Sequence, residues 1–390
     1  MRRRVGRPSV FLAILVLLLG ASPIAAATPG GGASESVIVV FRDRVANPVA
    51  LAAQLGRQHG FATRFVYQHA LKGFAASLPS RAVDALSHNP NVAWVEADGP
   101  VWLVTTQSNA TWGLDRIDQR ERALSGTYTY TATGQGVTAY IIDTGIRISH
   151  SEFVSGSVSR ASYGYDSVDG DFTADDCHGH GTHVAGTVGG ATYGVAKAVS
   201  LVAVRVLNCS GSGTWSGIIA GIDWVTGNHV AGAPAVANMS LGGGGNTSVD
   251  AAVRNSILDG VSYAVAAGNG NFIGIAMDAC KYSPARVTEA MTIGATDRTD
   301  KKASWSNYGN CVDWFAPGVG ITSAWITTAT NTISGTSMAT PHTAGVAALY
   351  LQGNPGASPA TVRTALYDNT TKGVVTSSKT TNNHLLFTNH

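Results

Sequence analysis

The sequence predicts an α/β protein: a doubly wound, mostly parallel sheet preceded by a small ferredoxin-like α+β unit. Two observations carry this expectation. From about Thr105 onward, apolar runs of strand length alternate with segments of helical spacing, as in a parallel sheet with crossover helices. Before that, residues 37–100 follow the order β-α-β-β-α-β, the split βαβ arrangement. A chain of 390 residues with 46 glycines and only 13% charged residues suits a turn-rich globular fold.

The first 27 residues stand apart from both units. Arg2, Arg3, Arg4 and Arg7 precede an apolar run from Val10 to Leu19 and the small residues Ala25, Ala26 and Ala27. That is the order of a secretory signal peptide. About ten apolar residues fall short of the roughly 20 that span a bilayer. Export is therefore expected, with cleavage near Ala27 and no membrane partner.

A Gly/Pro-rich joint at 28–32 leads into the small unit. Residues 37–41 read as a strand. Residues 48–58 read as a helix through Val49, Ala52, Ala53 and Leu55, with Gly60 beyond it. Residues 65–68 and 74–78 read as strands separated by Gly73. Ser80 is placed to cap a helix with an apolar face of Ala82, Val83, Ala85 and Leu86, stopped by Asn89-Pro90. Residues 92–95 close the unit as its last strand.

In the larger unit, 137–142, 199–207, 236–240 and 261–266 read as strands. Helices are expected at 181–188, 216–225, 249–257, 337–352 and 359–367. Parallel sheets bind ligands at the carboxyl ends of their strands, which is where Asp143 falls.

The overall charge of +2 hides a division. Residues 1–27 carry four basic residues and no acids, and 28–104 carry six basic and five acidic residues. The remainder has 16 basic and 19 acidic residues, so nothing in the charge points to a nucleic-acid or membrane surface. All four cysteines lie there: Cys177, Cys209, Cys280 and Cys311. An even count in an exported chain favours disulfides, with three pairings open. Pairing of sequence neighbours is preferred, each loop then being worth roughly 3–4 kcal/mol on the chain-entropy model. No C-x-x-C spacing supports a metal site.

Three segments concentrate chemistry: Ile141-Ile142-Asp143-Thr144-Gly145, His180-Gly181-Thr182-His183, and Gly335-Thr336-Ser337-Met338-Ala339. A serine hydroxyl attacks carbonyls poorly unless a base takes its proton. Imidazole does this near neutral pH, and a carboxylate fixes its tautomer. Singly, Asp143 reads equally as a turn cap, His180 as a satisfied core histidine and Ser337 as an N-cap. Together, each beside glycine at a strand-to-helix turn, they are far more specific.

These blocks, in the order Asp, His, Ser, resemble those of the subtilisin-like serine proteases. Trp112–Gln119, Val236–Gly244 and Ser304–Gly309 look closest to the proteinase K branch, with its aqualysin-like extracellular enzymes. Residues 37–100 resemble the inhibitory propeptide of that family. The resemblance implies a secreted endopeptidase with Asp143, His180 and Ser337 as triad, and Asn269 joining the Ser337 amide as oxyanion donor. It also implies that Gly211, Ser212 and Gly213 and then Ser240, Leu241 and Gly242 sandwich the substrate backbone. Ala266, Ala267 and Gly268 would wall the pocket for the residue before the scissile bond, with broad, apolar or aromatic preference. The same resemblance pairs Cys177 with Cys209 and Cys280 with Cys311.

No catalytic cofactor is implied, but structural calcium is. Its expected ligands are Asp313 with the carbonyls of Thr288 and Ala290, and the acidic loop of Asp169, Asp171, Asp175 and Asp176. Asp115, Asp118 and Gln119 match a further site, although Ser125 stands where some relatives carry an acid. Expected partners are polypeptide substrates and the chain's own propeptide, residues 28–104, acting on a monomeric catalytic domain, 105–390, after cleavage near 103–107.

The chain departs from the family pattern in places. His178 replaces a frequent asparagine, 272–276 is an extra apolar segment, and Thr343 replaces a valine without consequence. His183 and His342 are expected to be structural. An inactive relative acting as a binding protein would not need all of Asp143, His180, Asn269 and Ser337. An α/β-hydrolase esterase needs the opposite order and a G-x-S-x-G elbow, which Ser337 lacks.

Overall fold

Alternating apolar residues build the small unit. In a computed structural model, Val37, Val39 and Phe41 of one strand and Phe74, Ala76 and Leu78 of its neighbour share a buried face. That face packs on Ala52 and Leu55 of the helix Pro48–His59 and on Ala82 and Leu86 of the helix Ser80–Ser87. The structure describes residues 34–99, 105–155, 158–271, 273–326 and 330–390, and divides into two units near residue 101. The signal segment, the 28–32 joint and residues 103–104 of the expected cleavage region lie outside the described residues.

The small sheet is antiparallel, in the order Thr63–Tyr67, Gly73–Pro79, Ser34–Phe41, Val92–Ala97. Its first helix starts where Asn47 Oδ1 accepts the Ala50 N–H and ends at Gly60, whose φ is 72°. The second helix corrects the sequence expectation. It begins at Ser80 itself, after an extended Pro79, and no side chain caps it. The Ser80 hydroxyl is 3.3 Å from Glu35 Oε1 instead.

The larger unit holds seven parallel strands in the order Ala161–Asp166, Ser200–Arg205, Thr138–Asp143, Ala235–Met239, Ser262–Ala266, Met291–Thr296, Trp314–Pro317. Side chains alternate between two cores. Ala139 and Ile141 face the helices His180–Gly189 and Thr336–Gly353, through Val184, Val188, Ala344 and Ala347. Tyr140 and Ile142 face the helices Trp215–Asn228 and Thr247–Asp259, through Ile218, Ile222, Val249 and Val253. Burial on both faces is why these strands read as continuous apolar runs.

The strands after Thr138–Asp143 pair first on one side of it and then, from Ala235, on the other. A crevice therefore opens at the carboxyl end of that central strand, at the switch of direction. Asp143 stands at its edge.

Candidate active site

Asp143 ends the central strand fully buried. Its Oδ1 accepts the Thr144 N–H at 2.8 Å and lies 2.7 Å from His180 Nδ1, while its Oδ2 is buried without a hydrogen-bond partner. His180 opens its helix immediately beside this turn. The approach is so close that a Cβ on Gly181 would lie 2.2 Å from Gly145 O. The Gly181 N–H donates to Thr144 Oγ1 at 2.9 Å, fastening the helix to the strand end.

The loop before His180 is held by Asp176, which is fully buried. Its Oδ1 accepts from the Thr144 hydroxyl and from the N–H groups of His178 and Gly179, each at 2.9 Å. Its Oδ2 accepts from the N–H and the hydroxyl of Thr182, at 2.9 and 2.6 Å. Burial alone would lower the pKa of His180. The charge and hydrogen bond of Asp143, with the charge of Asp176, outweigh that and hold it above the ordinary imidazole value.

Ser337 is the second residue of the helix Thr336–Gly353, which contains Pro341. Proline has no N–H, so nothing within the helix donates to the Ser337 carbonyl from four residues on. Ser240 supplies the missing donor: its hydroxyl donates to Ser337 O at 2.8 Å. In return the Ser337 hydroxyl donates to Ser240 O at 3.0 Å. The structure thus joins Asp143 to His180, while the Ser337 hydroxyl rests on the strand edge. Catalytic hydrogen bonds in unliganded enzymes are often completed only with substrate.

Asn269 Oδ1 accepts the N–H and the hydroxyl of Thr336, both at 2.8 Å, so its amide nitrogen is the side chain's remaining donor. That nitrogen lies 3.4 Å from where a Cβ on Gly335 would sit, two residues before Ser337. Asn269, Ser337, Thr336, Leu241, Gly242, Ala266, Ala267 and Gly268 line one cavity of about 170 Å³. Gly211, Ser212, Gly213 and Ser240 line a longer groove of about 810 Å³ with His178 and His180. Sequence reasoning missed the parts played by Thr336 and Asp176. The first was legible only as a neighbour of Ser337, and the second was read as a metal ligand.

The cysteines pair as Cys177–Cys209 and Cys280–Cys311. The first bond ties the histidine loop to the segment that begins the groove wall at Ser210. His183 and His342 are buried, and burial brings each pKa down to about 4. Each is bonded to backbone carbonyls: His183 to Ile321 and Asn331, His342 to Met338. Both are structural.

Most of the expected calcium ligands are met by arginines and N–H groups in the structure. Asp313 is ion-paired to Arg363 and accepts the Thr292 N–H at 2.8 Å, so a guanidinium stands against the carboxylate expected to join the Thr288 and Ala290 carbonyls. In the acidic loop, Arg205 binds Asp166 and Asp169 at 2.7 and 2.6 Å, and Arg147 binds Asp175 at 3.0 Å. Asp171 accepts the Thr173 N–H, and Asp176 is saturated by its five donors. Arginines therefore relieve part of the repulsion among these acids. Among the described residues no three His, Cys, Asp or Glu side chains come together as a metal site.

A doubly wound parallel sheet that presents an aspartate, a histidine and a serine, in that order, beside an amide donor defines a serine hydrolase. The chain belongs to the subtilase family: the model described as "Subtilase family" matches residues 134–386, and "Peptidase inhibitor I9" matches residues 36–103. It is 55% identical over 348 residues to an extracellular serine proteinase of Thermus sp. (strain Rt41A), covering 88% of this chain and 82% of that one. It is 52% identical to alkaline serine exoprotease A of Vibrio alginolyticus, over 83% of this chain and 59% of that protein. A crystal structure of a cold adapted subtilisin-like serine proteinase superposes with a TM-score of 0.68 and 54% identity, covering 72% of this chain and 98% of that one. The chain is an extracellular serine endopeptidase that carries its own inhibitory propeptide.

Proposed function

We propose that Asp143, His180 and Ser337 cleave peptide bonds, with Asn269 and the Ser337 amide as the oxyanion donors. The observation that carries this is the 2.7 Å contact of His180 with a buried Asp143, at the end of a groove whose neighbouring cavity contains Ser337 and Asn269. As substrate seats, the Ser337 hydroxyl leaves Ser240 O and turns to His180 Nε2. The imidazole takes its proton as Oγ attacks the carbonyl carbon, while Asp143 accepts the Nδ1–H. The new oxyanion receives the Asn269 Nδ2–H and the Ser337 N–H. His180 then protonates the leaving amine, and water, activated the same way, releases the acyl group.

The segments 211–213 and 240–242 would bind substrate through backbone hydrogen bonds, which favours broad specificity. The small walls Ala266, Ala267, Gly268 and Gly242 suit a large apolar or aromatic residue before the scissile bond. Cleavage profiling that returned a strict charged preference would overturn this part. We assign 28–104 to the propeptide and 105–390 to a monomeric catalytic domain, supported by the inhibitor match to 36–103 and the division near residue 101. Ser337→Ala should leave the precursor uncut and inactive on casein; efficient processing of the purified variant would refute self-cleavage.

For structural calcium, the turn of Asp115 and Asp118 is the better-matched donor set. Asp118 keeps a buried oxygen without a hydrogen-bond partner, and burial, with Asp115 nearby, pushes its pKa up to about 6. A chelator should lower the denaturation midpoint of the parent enzyme and not that of Asp118→Asn. Equal responses would exclude this site.

A further inference from the structure

Just beyond Asn269 the chain makes a turn closed by its own bonds. The Asn271 N–H donates to Ile275 O at 2.9 Å, and the N–H groups of Ile273 and Ile275 donate to Asn271 Oδ1 at 3.1 and 3.0 Å. This turn folds back tightly onto residue 270, where φ is 82° and a Cβ would lie 2.6 Å from Ile275 O. Only glycine fits there. The extra turn therefore forces an Asn-Gly peptide bond at the oxyanion donor.

An asparagine followed by glycine is the setting in which a side-chain amide is most readily lost. The glycine nitrogen attacks the asparagine Cγ and closes a five-membered succinimide. The C–N bond of the side chain breaks, and its nitrogen leaves as ammonia with the glycine N–H proton. Water then opens the ring to aspartate or isoaspartate. Either product puts a carboxylate where the reaction needs a donor.

Both reacting groups are held. Asn307, 1% exposed, accepts the Gly270 N–H on Oδ1 at 3.0 Å and the Met277 N–H on the same atom at 2.8 Å. Its Nδ2 donates to Ala267 O at 2.8 Å, and its own N–H donates to Gly268 O at 2.9 Å. One side chain thus fastens the backbone on both sides of Asn269 and the base of the extra turn. Thr336 fixes the other reactant by its two bonds to Asn269 Oδ1. Ring closure requires the Gly270 nitrogen to lose its proton and swing towards Cγ, and its bond to Asn307 opposes both.

We propose that Asn307 is a positioning residue for the oxyanion donor, which keeps the Asn269 amide aimed at the reacting carbonyl and prevents ring closure at Asn269–Gly270. The kinetic half rests on reading Asn269 as that donor; the ring-closure half does not.

The test uses mature enzyme blocked at Ser337 with a sulfonyl fluoride, so that self-digestion does not contribute. Parent, Asn307→Ala and Asn307→Asp proteins are held at mildly alkaline pH, and the peptide containing Asn269 is followed by mass spectrometry. Asn307→Asp keeps the acceptor for Gly270 and Met277. Ring closure should run about tenfold faster in Asn307→Ala than in the parent, the loss of one hydrogen bond, and near the parent rate in Asn307→Asp. Freshly prepared, unblocked Asn307→Ala should show kcat lowered about 100-fold with KM little changed, as for a misplaced catalytic group. Parent-like rates of amide loss and parent-like kcat in Asn307→Ala would overturn the proposal. Faster amide loss with unchanged kcat would remove the positioning half, and Asn269→Ala then decides whether the donor reading itself has failed. If Asn307→Ala does not fold, the parent is compared native and in urea, and equal rates of amide loss overturn the guarding role.

Discussion

Asp176 offers the sharpest test of how the histidine loop is built. In Asp176→Asn the amide has one favourable setting. Its oxygen can keep the bonds to Thr144, His178 and Gly179, which leaves its NH2 facing the N–H and hydroxyl of Thr182. Two charge-assisted bonds are lost at a fully buried site, at about 1.5–3 kcal/mol each, so about 3–6 kcal/mol of stability should go. The opposite setting sacrifices three donors and costs more. Urea midpoints of enzyme blocked at Ser337 measure the effect. The same change removes one of the charges that raise the pKa of His180. His180 must be neutral to act as base, so activity falls as pH drops through its raised pKa. Without the Asp176 charge that pKa is lower, and the acidic limb of kcat/KM should move to lower pH. A limb that stays in place, or moves upward, together with a stability loss below about 1 kcal/mol, would refute this account of the loop.

Asn269→Ala should lower kcat with little change in KM; removing such a donor in subtilisin itself costs about 10²–10³ in kcat, and an unchanged kcat would discard the oxyanion assignment. Acid should destabilise the blocked enzyme in a defined window. Burial brings His183 and His342 down to about 4 in the fold, below the ordinary imidazole value of about 6.5, so the unfolded chain binds more protons between those values. Stability is then lost as pH falls from about 6.5 towards 4, by about 3 kcal/mol per histidine, and a urea midpoint flat across that range would contradict their burial as neutral groups.

The residues with distinctive chemistry were legible because their turns are written locally. Asp143 follows an apolar run, glycines flank His180, and Gly335 stands two residues before Ser337, both at helix starts. Helices such as Pro48–His59 were legible from a cap, a periodic face and a stop. Three parallel strands were not: Ala161–Asp166, Met291–Thr296 and Trp314–Pro317. The first is an edge strand of mixed polarity, the second interleaves Thr and Gly with its apolar residues, and the third has four residues. Their pairing comes from neighbours distant in sequence. The acidic loop failed for a related reason. Asp169 and Asp175 look unbalanced in a local reading, but the arginines that neutralise them come from a neighbouring strand and from the turn after Asp143.

Pro341 has a mechanical consequence. Because it cannot reach back to residue 337, the carbonyl of the attacking residue is bolted to the strand edge at Ser240. A peptide that shifts this segment as it docks therefore carries the Ser337 backbone, and its amide N–H, along with it. The hydroxyl alone keeps its freedom, turning about its Cα–Cβ bond from Ser240 to the imidazole. Seating a substrate and placing the Ser337 amide thus become one displacement, and aiming the alcohol a second.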